Sequence, residues 1–188
     1  TLSGTRTLSP HATATTVGTD ATADAATATD AITTSVGIDL SSASASIGGN
    51  GTVLAGSTIT GSSGATGTTA NASATTSVGA ATALDLTGES LSVGDGGTLT
   101  AASISTLGST ATTVTGQAVA NTTATDTFGV GDGTGAVTVG NGATINATAS
   151  VGSTANATST DAGANTSASV DNNNVAAINL DTLTVGNS

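Results

Sequence analysis

The chain has 188 residues, with 26 glycines, one proline, one phenylalanine and no Cys, Met, Trp or Tyr; charged residues make up 7% and the net charge is −11. Aromatics at 1% leave nothing to fill a thick globular core, and a lone Arg6 offers no basic patch for nucleic acid or an anionic membrane surface. Hydrophobic residues at 36% are too many for a chain held open by charge repulsion, so the composition asks for a thin, repetitive core of Ala with scattered Val, Ile and Leu.

In chain order, the first ten residues fit poorly the repeat frame set out below, and the opening Thr1 reads as a processed product or a piece of something longer. His11 sits among Ala and Thr and reads as exposed. A Ser-His-Asp triad would have to use it, and no serine stands in a nucleophile elbow. The first clear element is Ala45-Ser46-Ile47-Gly48-Gly49-Asn50-Gly51-Thr52-Val53. It returns as Leu91-Ser92-Val93-Gly94-Asp95-Gly96-Gly97-Thr98-Leu99, then as Val137-Thr138-Val139-Gly140-Asn141-Gly142-Ala143-Thr144-Ile145, and begins again at Leu183-Thr184-Val185-Gly186-Asn187. From 45 to 91 to 137 to 183 the chain takes three identical steps of 46 residues. The same frame lines up Ala26, Ala72, Ala118 and Ala164, and likewise Ile38, Leu84, Val130 and Ala176.

Such a frame divides the chain into units of about 1–44, 45–90, 91–136 and 137–182, with a further unit starting at 183–188, all in one array. Within each unit Leu91-Ser92-Val93 and Thr98-Leu99-Thr100 alternate apolar and polar residues, the period of short half-buried strands. Glycine with Asn or Asp marks the corners, where positive φ is needed: Gly48, Asn50, Gly94, Asp95, Gly96, Gly140, Asn141, Gly142, Gly186 and Asn187. Frequent Gly and β-branched Thr and Val disfavour helix. The pattern predicts an all-β, right-handed parallel β-solenoid whose core holds Ile47, Val53, Val93, Leu99, Val139, Ile145 and the alanines at 26, 72, 118 and 164. Two rungs per 46-residue repeat are expected, because paired alanines such as Ala72 and Ala74 look like a second rung; about eight rungs would then give a rod of roughly 35–40 Å.

Chemistry is sparse in this frame. Calcium is the one cofactor the turns could take, through Asp95 and Asp132 in Gly-Asp-Gly runs, but Asn50, Asn141 and Asn187 hold the matching corners and favour a turn role. Asp126 and Asp132 flank Phe128-Gly129-Val130-Gly131, again as turn formers rather than a paired-carboxylate site. Thr-x-Thr pairs raise an ice-binding ladder, yet the neighbours of Thr100 one unit away are Leu54 and Asn146, so its second rank fails.

The Val-Gly-Asp/Asn-Gly-x-Thr-Leu unit with Thr/Ala/Ser-rich fill resembles the repetitive β-solenoid regions of large bacterial surface proteins: haemagglutinin-like adhesins, autotransporter passengers, and S-layer or matrix-fibre proteins. That resemblance implies an extracellular or cell-surface location and a scaffolding or adhesive job, and it assigns no site residue. The expected function is a non-enzymatic structural one. The chain would form a segment of a filament, surface layer or stalk by stacking on further repeats or on copies of itself, since no charged or proline-bearing cap follows Asn187. The alternative is an adhesin or tail-fibre module binding glycans, with a polysaccharide-degrading solenoid behind it. No nucleic acid partner and no membrane insertion are expected.

Overall fold

In the computed structural model, residues 1–18, 21–26, 34–131 and 133–187 are described. They form strands β1 (Leu2–Leu8), β2 (His11–Thr16), β3 (Ala21–Ala26), β4 (Thr34–Asp39), β5 (Ala45–Ile47), β6 (Thr52–Gly67), β7 (Ala72–Asp85), β8 (Ser90–Val93), β9 (Thr98–Thr113), β10 (Ala118–Val130), β11 (Ala136–Val139), β12 (Thr144–Ser159), β13 (Thr166–Asn172), β14 (Val175–Ile178) and β15 (Thr182–Val185), with no helix among the described residues. Every ladder is parallel. The first sheet stacks β1 and β2, β6, β9 and β12; the second stacks β3 and β4, β7, β10, then β13 and β14; the third stacks β5, β8, β11 and β15. The chain visits the three sheets in turn and so makes four coils, the first from β1 to β5 and the last from β12 to β15.

Pairing registers correct two expectations. Thr52 faces Thr98, Thr98 faces Thr144, Ala72 faces Ala118 and Leu91 faces Val137, each one 46-residue step along the chain. One step therefore closes one whole coil, and the two rungs per repeat are replaced by one wide one. The reason is length: β6, β9 and β12 each run 16 residues without a Gly-Asn corner, and Ala72 and Ala74 lie on the return strand of the same coil. At about 4.8 Å per coil the first and last coils stand about 14 Å apart, while a 16-residue strand spans about 50 Å, so the stack is wide and short instead of a slender rod.

The frame also slips twice. Leu2 faces Val53 and Ala21 faces Ala72, five residues out of the frame, whereas Thr34 faces Ala80 within it. The N-terminal stretch thus joins the first sheet, and its poor match reflects a shift taken up between Ala26 and Thr34. Ala26 falls opposite Ser77, and its side chain lies outside the described residues. In the last coil Ala118 faces Thr166 and Val130 faces Ile178, two residues on. Ala164 therefore drops into the turn, where its N–H donates to Asp161 O at 3.1 Å, and Ala176 yields its expected place to Ile178.

Side-chain volume sets the shape of the interior. Where the three sheets meet, Val53, Leu84, Leu86, Leu91, Val93, Leu99, Val130, Val137 and Val139 are buried together, with Ile47 and Ile145 partly buried against them. Midway lie Ile59, Val78, Leu107 and Ala124. At the far end, where the first sheet turns into the second, Ala65, Ala72, Ala74, Ala111, Ala118 and Ala120 pack on one another. Each buried Leu or Val contributes about 1.5–3 kcal/mol, against little more than one methyl group from Ala.

Polar residues share this interior with the Ala, Val, Ile and Leu that the composition asks for. Thr76 Oγ1 of the second sheet donates to Gly108 O of the first at 2.8 Å, and Thr122 Oγ1 repeats the contact one coil on with Thr154 O at 2.8 Å. Ser109 Oγ donates to Asn121 O at 2.6 Å and Ser103 Oγ to Ala81 O at 3.0 Å. A buried hydroxyl is tolerated where it finds an acceptor, and here the opposite backbone is near enough to supply one.

Candidate functional site

The corner after the third sheet repeats most faithfully, and its geometry explains its residues. Gly94 N–H donates to Ile47 O at 2.8 Å, Gly140 N–H to Val93 O at 2.7 Å and Gly186 N–H to Val139 O at 2.8 Å, which pulls successive corners into backbone contact. A Cβ on Gly94 would come within 2.8 Å of Gly49 N, and Cβ atoms on Gly140 and Gly186 would clash likewise with Asp95 and Asn141, so these three positions admit no side chain. Next to it, Asp95 Oδ1 accepts from Asn141 N–H at 2.7 Å and Asn141 Oδ1 accepts from Asn187 N–H at 2.8 Å. Each side chain caps the corner stacked on it.

Asn50 is not the first member of that ladder. Its φ of 55° matches 67° at Gly96 and 65° at Gly142, which places it in the left-handed column and leaves Gly49 level with Asp95. The signal was present in the 46-residue spacing, obscured because Asn serves both columns: as an acceptor in one and as a residue that tolerates positive φ in the other. Asp95 is exposed, with one carboxylate oxygen given to the corner. Asp132, the second calcium candidate, lies outside the described residues. Among the described residues no three acidic or histidine side chains gather as a metal-holding group.

Other titratable groups lie in turns and at strand ends. Asp85 Oδ1 accepts from Thr87 N–H at 3.1 Å, and Asp161 Oδ1 from Gly163 N–H at 3.0 Å. His11 is exposed and bonds the hydroxyls of Ser62 at 2.7 Å and Thr13 at 3.0 Å. Asp39 and Asp85 are register partners one coil apart, about 4.8 Å, each accepting from its own turn, at Ser41 N–H and Thr87 N–H. Separately, a groove of about 270 Å³ has a lining that includes Glu89, Gly135 and Asp181. Ser90 pairs with Ala136 and Ala136 with Thr182, so Glu89 and Asp181 stand two coils apart, about 10 Å, across Gly135. Ser44 Oγ donates to Glu89 Oε2 at 2.8 Å.

A second cleft, of about 430 Å³, is lined by Asp126, Phe128, Asn174, Val175, Ala176 and Asn179. Asn174 has a left-handed φ of 43° and donates from Nδ2 to Asp126 Oδ1 at 2.9 Å. Phe128 is only 7% exposed, so little of its ring face is open to stack on a sugar. On the first sheet the register sets Thr98 between Thr52 and Thr144 but Thr100 between Leu54 and Asn146, and Leu54 and Ile104 are exposed, which interrupts a threonine ladder.

The two ends of the stack differ from its middle. In β9 alternate residues are buried, whereas the equivalent positions of β12 are half-buried and β13 is exposed throughout. Among the described residues, five of the nine exposed large hydrophobics, Val170, Val175, Ile178, Leu183 and Val185, belong to the last coil. No family model, no curated protein and no solved structure matches the chain.

Proposed function

We propose that this chain is a non-enzymatic structural module: a right-handed parallel β-solenoid of 46-residue coils that serves as a stiff segment of a bacterial extracellular filament, surface layer or stalk. The observation that carries the reading is the continuity of three parallel ladders through four coils, closed by corners whose side chains hydrogen-bond from coil to coil. Right-handedness follows from the general preference of parallel strands joined by a crossover within one sheet, about 98% right-handed. Such a stack resists bending because each coil is held to the next along β6, β9 and β12 over 16 residues. A hydroxyl-rich, weakly charged exterior suits a hydrated spacer. The test is location and shape: gold-labelled antibody against the chain, viewed by electron microscopy on the cells that make it. Label on rods or stalks outside the cell supports the proposal, and label confined to the cell interior overturns it.

The second reading, a glycan-binding fibre, draws on one observation, the cleft where Asp126, Asn174 and Asn179 surround the edge of Phe128. A glycan array checks it, with Asp126→Ala as the control.

A further inference from the structure

Asn followed by Gly occurs twice in the chain, at Asn50-Gly51 and Asn141-Gly142, and both pairs fall in the corner after the third sheet. Asparagine is a thermolabile residue, and a following glycine, having no Cβ, lets its own nitrogen approach the side-chain carbonyl closely. The two pairs do not differ in access. Asn50 and Asn141 are both exposed, and each sits in a turn closed by a backbone bond, Gly51 N–H to Gly48 O at 3.0 Å and Ala143 N–H to Gly140 O at 3.4 Å.

What differs is the hold on the side-chain amide. Asn141 Oδ1 accepts from Asn187 N–H at 2.8 Å, and the nitrogen beside it, Gly142 N, donates to Asn187 O at 3.2 Å. Both reacting groups of that pair are tied to the corner stacked on them. Asn50 stands in the left-handed column instead, and its backbone N–H donates to Asp95 O at 2.7 Å. Its Oδ1 lies over the bare Cα of Gly96, where a Cβ would come within 2.6 Å of it, and the amide makes no hydrogen bond among the described residues. Only Gly51 N–H, bonded within its own turn, has to be released for ring closure at this pair.

We infer that Asn50 is a self-modification site, at which the folded chain deamidates with water as its only co-reactant, and that the corner ladder shields Asn141 from the same reaction. Gly51 N attacks Asn50 Cγ and a new N–C bond closes a five-membered succinimide. The Cγ–Nδ2 bond breaks, and the amide leaves as ammonia with the proton given up by Gly51 N. Water then opens the ring. Attack at one carbonyl restores the ordinary backbone with an aspartate side chain at position 50; attack at the other leaves a β-linked isoaspartate, one carbon longer inside the turn. Nothing is oxidised or reduced, and either product adds a negative charge beside the corner that carries Asp95. The inference stands on the corner geometry alone and holds whether or not the chain belongs to a filament.

Timed incubation of the folded whole chain in mildly alkaline heavy-oxygen water, then thermolysin digestion in ordinary water and mass spectrometry, reads both pairs in one sample. Heavy oxygen in the product separates conversion in the folded chain from conversion during digestion. Ring closure at Asn141 gives up two hydrogen bonds and at Asn50 one, so position 50 should convert about five- to tenfold faster. In guanidinium chloride the corners are lost and the two rates should converge. Asn50→Gln sets the amide one carbon further from Gly51 N and should abolish conversion at position 50 while the β circular dichroism is kept. Equal rates in the folded chain, a folded chain in which neither position converts, a difference that persists in guanidinium chloride, or undiminished conversion in Asn50→Gln would each overturn the inference.

Discussion

The two ends of the interior are built from different residues and hold the sheets differently. Where three sheets meet, Leu84, Leu91 and Leu99 with Val53, Val93 and Val139 fill a broad space. At the other end Ala72, Ala74, Ala118 and Ala120 meet Ala65 and Ala111, and beside them hydroxyls bridge from one sheet to the backbone of the other. Large side chains keep the sheets apart and leave room for a third; small ones bring them within reach of a threonine hydroxyl. The broad end draws its stability from buried area, the narrow end from close approach and satisfied polar groups. Low aromatic content is therefore a geometric requirement of half the coil.

This contrast can be broken from either side, and the largest effect should come from the broad end. Leu99→Ala removes a fully buried side chain from the column it shares with Val53 and Ile145, and should cost about 2–5 kcal/mol, read from urea unfolding. At the narrow end the same logic runs in reverse: Ala118→Trp should cost about 1–3 kcal/mol or more by overpacking, and an unchanged urea midpoint would mean that the alanine end is not closed. Thr122→Val keeps the shape but strands the acceptors at Thr154 O and Ser109 Oγ, for an expected loss of about 1–3 kcal/mol. Val at the same position would be neutral if the hydroxyl bridge contributed nothing.

The smallest effect concerns charge. Asp39 accepts from Ser41 N–H at 2.8 Å, and hydrogen bonds from the Ser41 side chain and backbone hold its carboxyl below the ordinary range of about 3.9. A depressed folded value means that its stabilisation is present above the unfolded pKa and is lost as pH falls through the folded one. Asp39→Asn should therefore leave slightly less change in stability between pH 5 and pH 2 than the wild type shows. Because the carboxyl is almost fully solvated, the difference should be the least of those above.

Much of this architecture was legible because the corners cannot vary freely. Gly94 and Gly140 need bare backbone, position 141 must supply an acceptor oxygen to Asn187 N–H, and so the 46-residue step survives in the sequence. Elsewhere Ala, Ser and Thr have nearly the same volume, and alternation among them does not say which face is inward. That is why nothing in the sequence marks Thr76 and Thr122 as inward-facing, although both are buried. Ala72 and Ala74 looked like a second rung for the same reason: a return strand lined with small residues carries no corner to date it. The slips at the first and last coils fell in segments without the glycine motif, so Ala164 and Ala176 were aligned by chemistry rather than by pairing.

The central claim is that one 46-residue step makes one coil. Insertion of three extra copies of residues 91–136, followed by cryo-electron microscopy or small-angle scattering, measures it directly. The account predicts a particle longer along the stacking axis by about 14 Å at unchanged cross-section. A lengthening near 29 Å, with a narrower section, would mean two rungs per step and would contradict it.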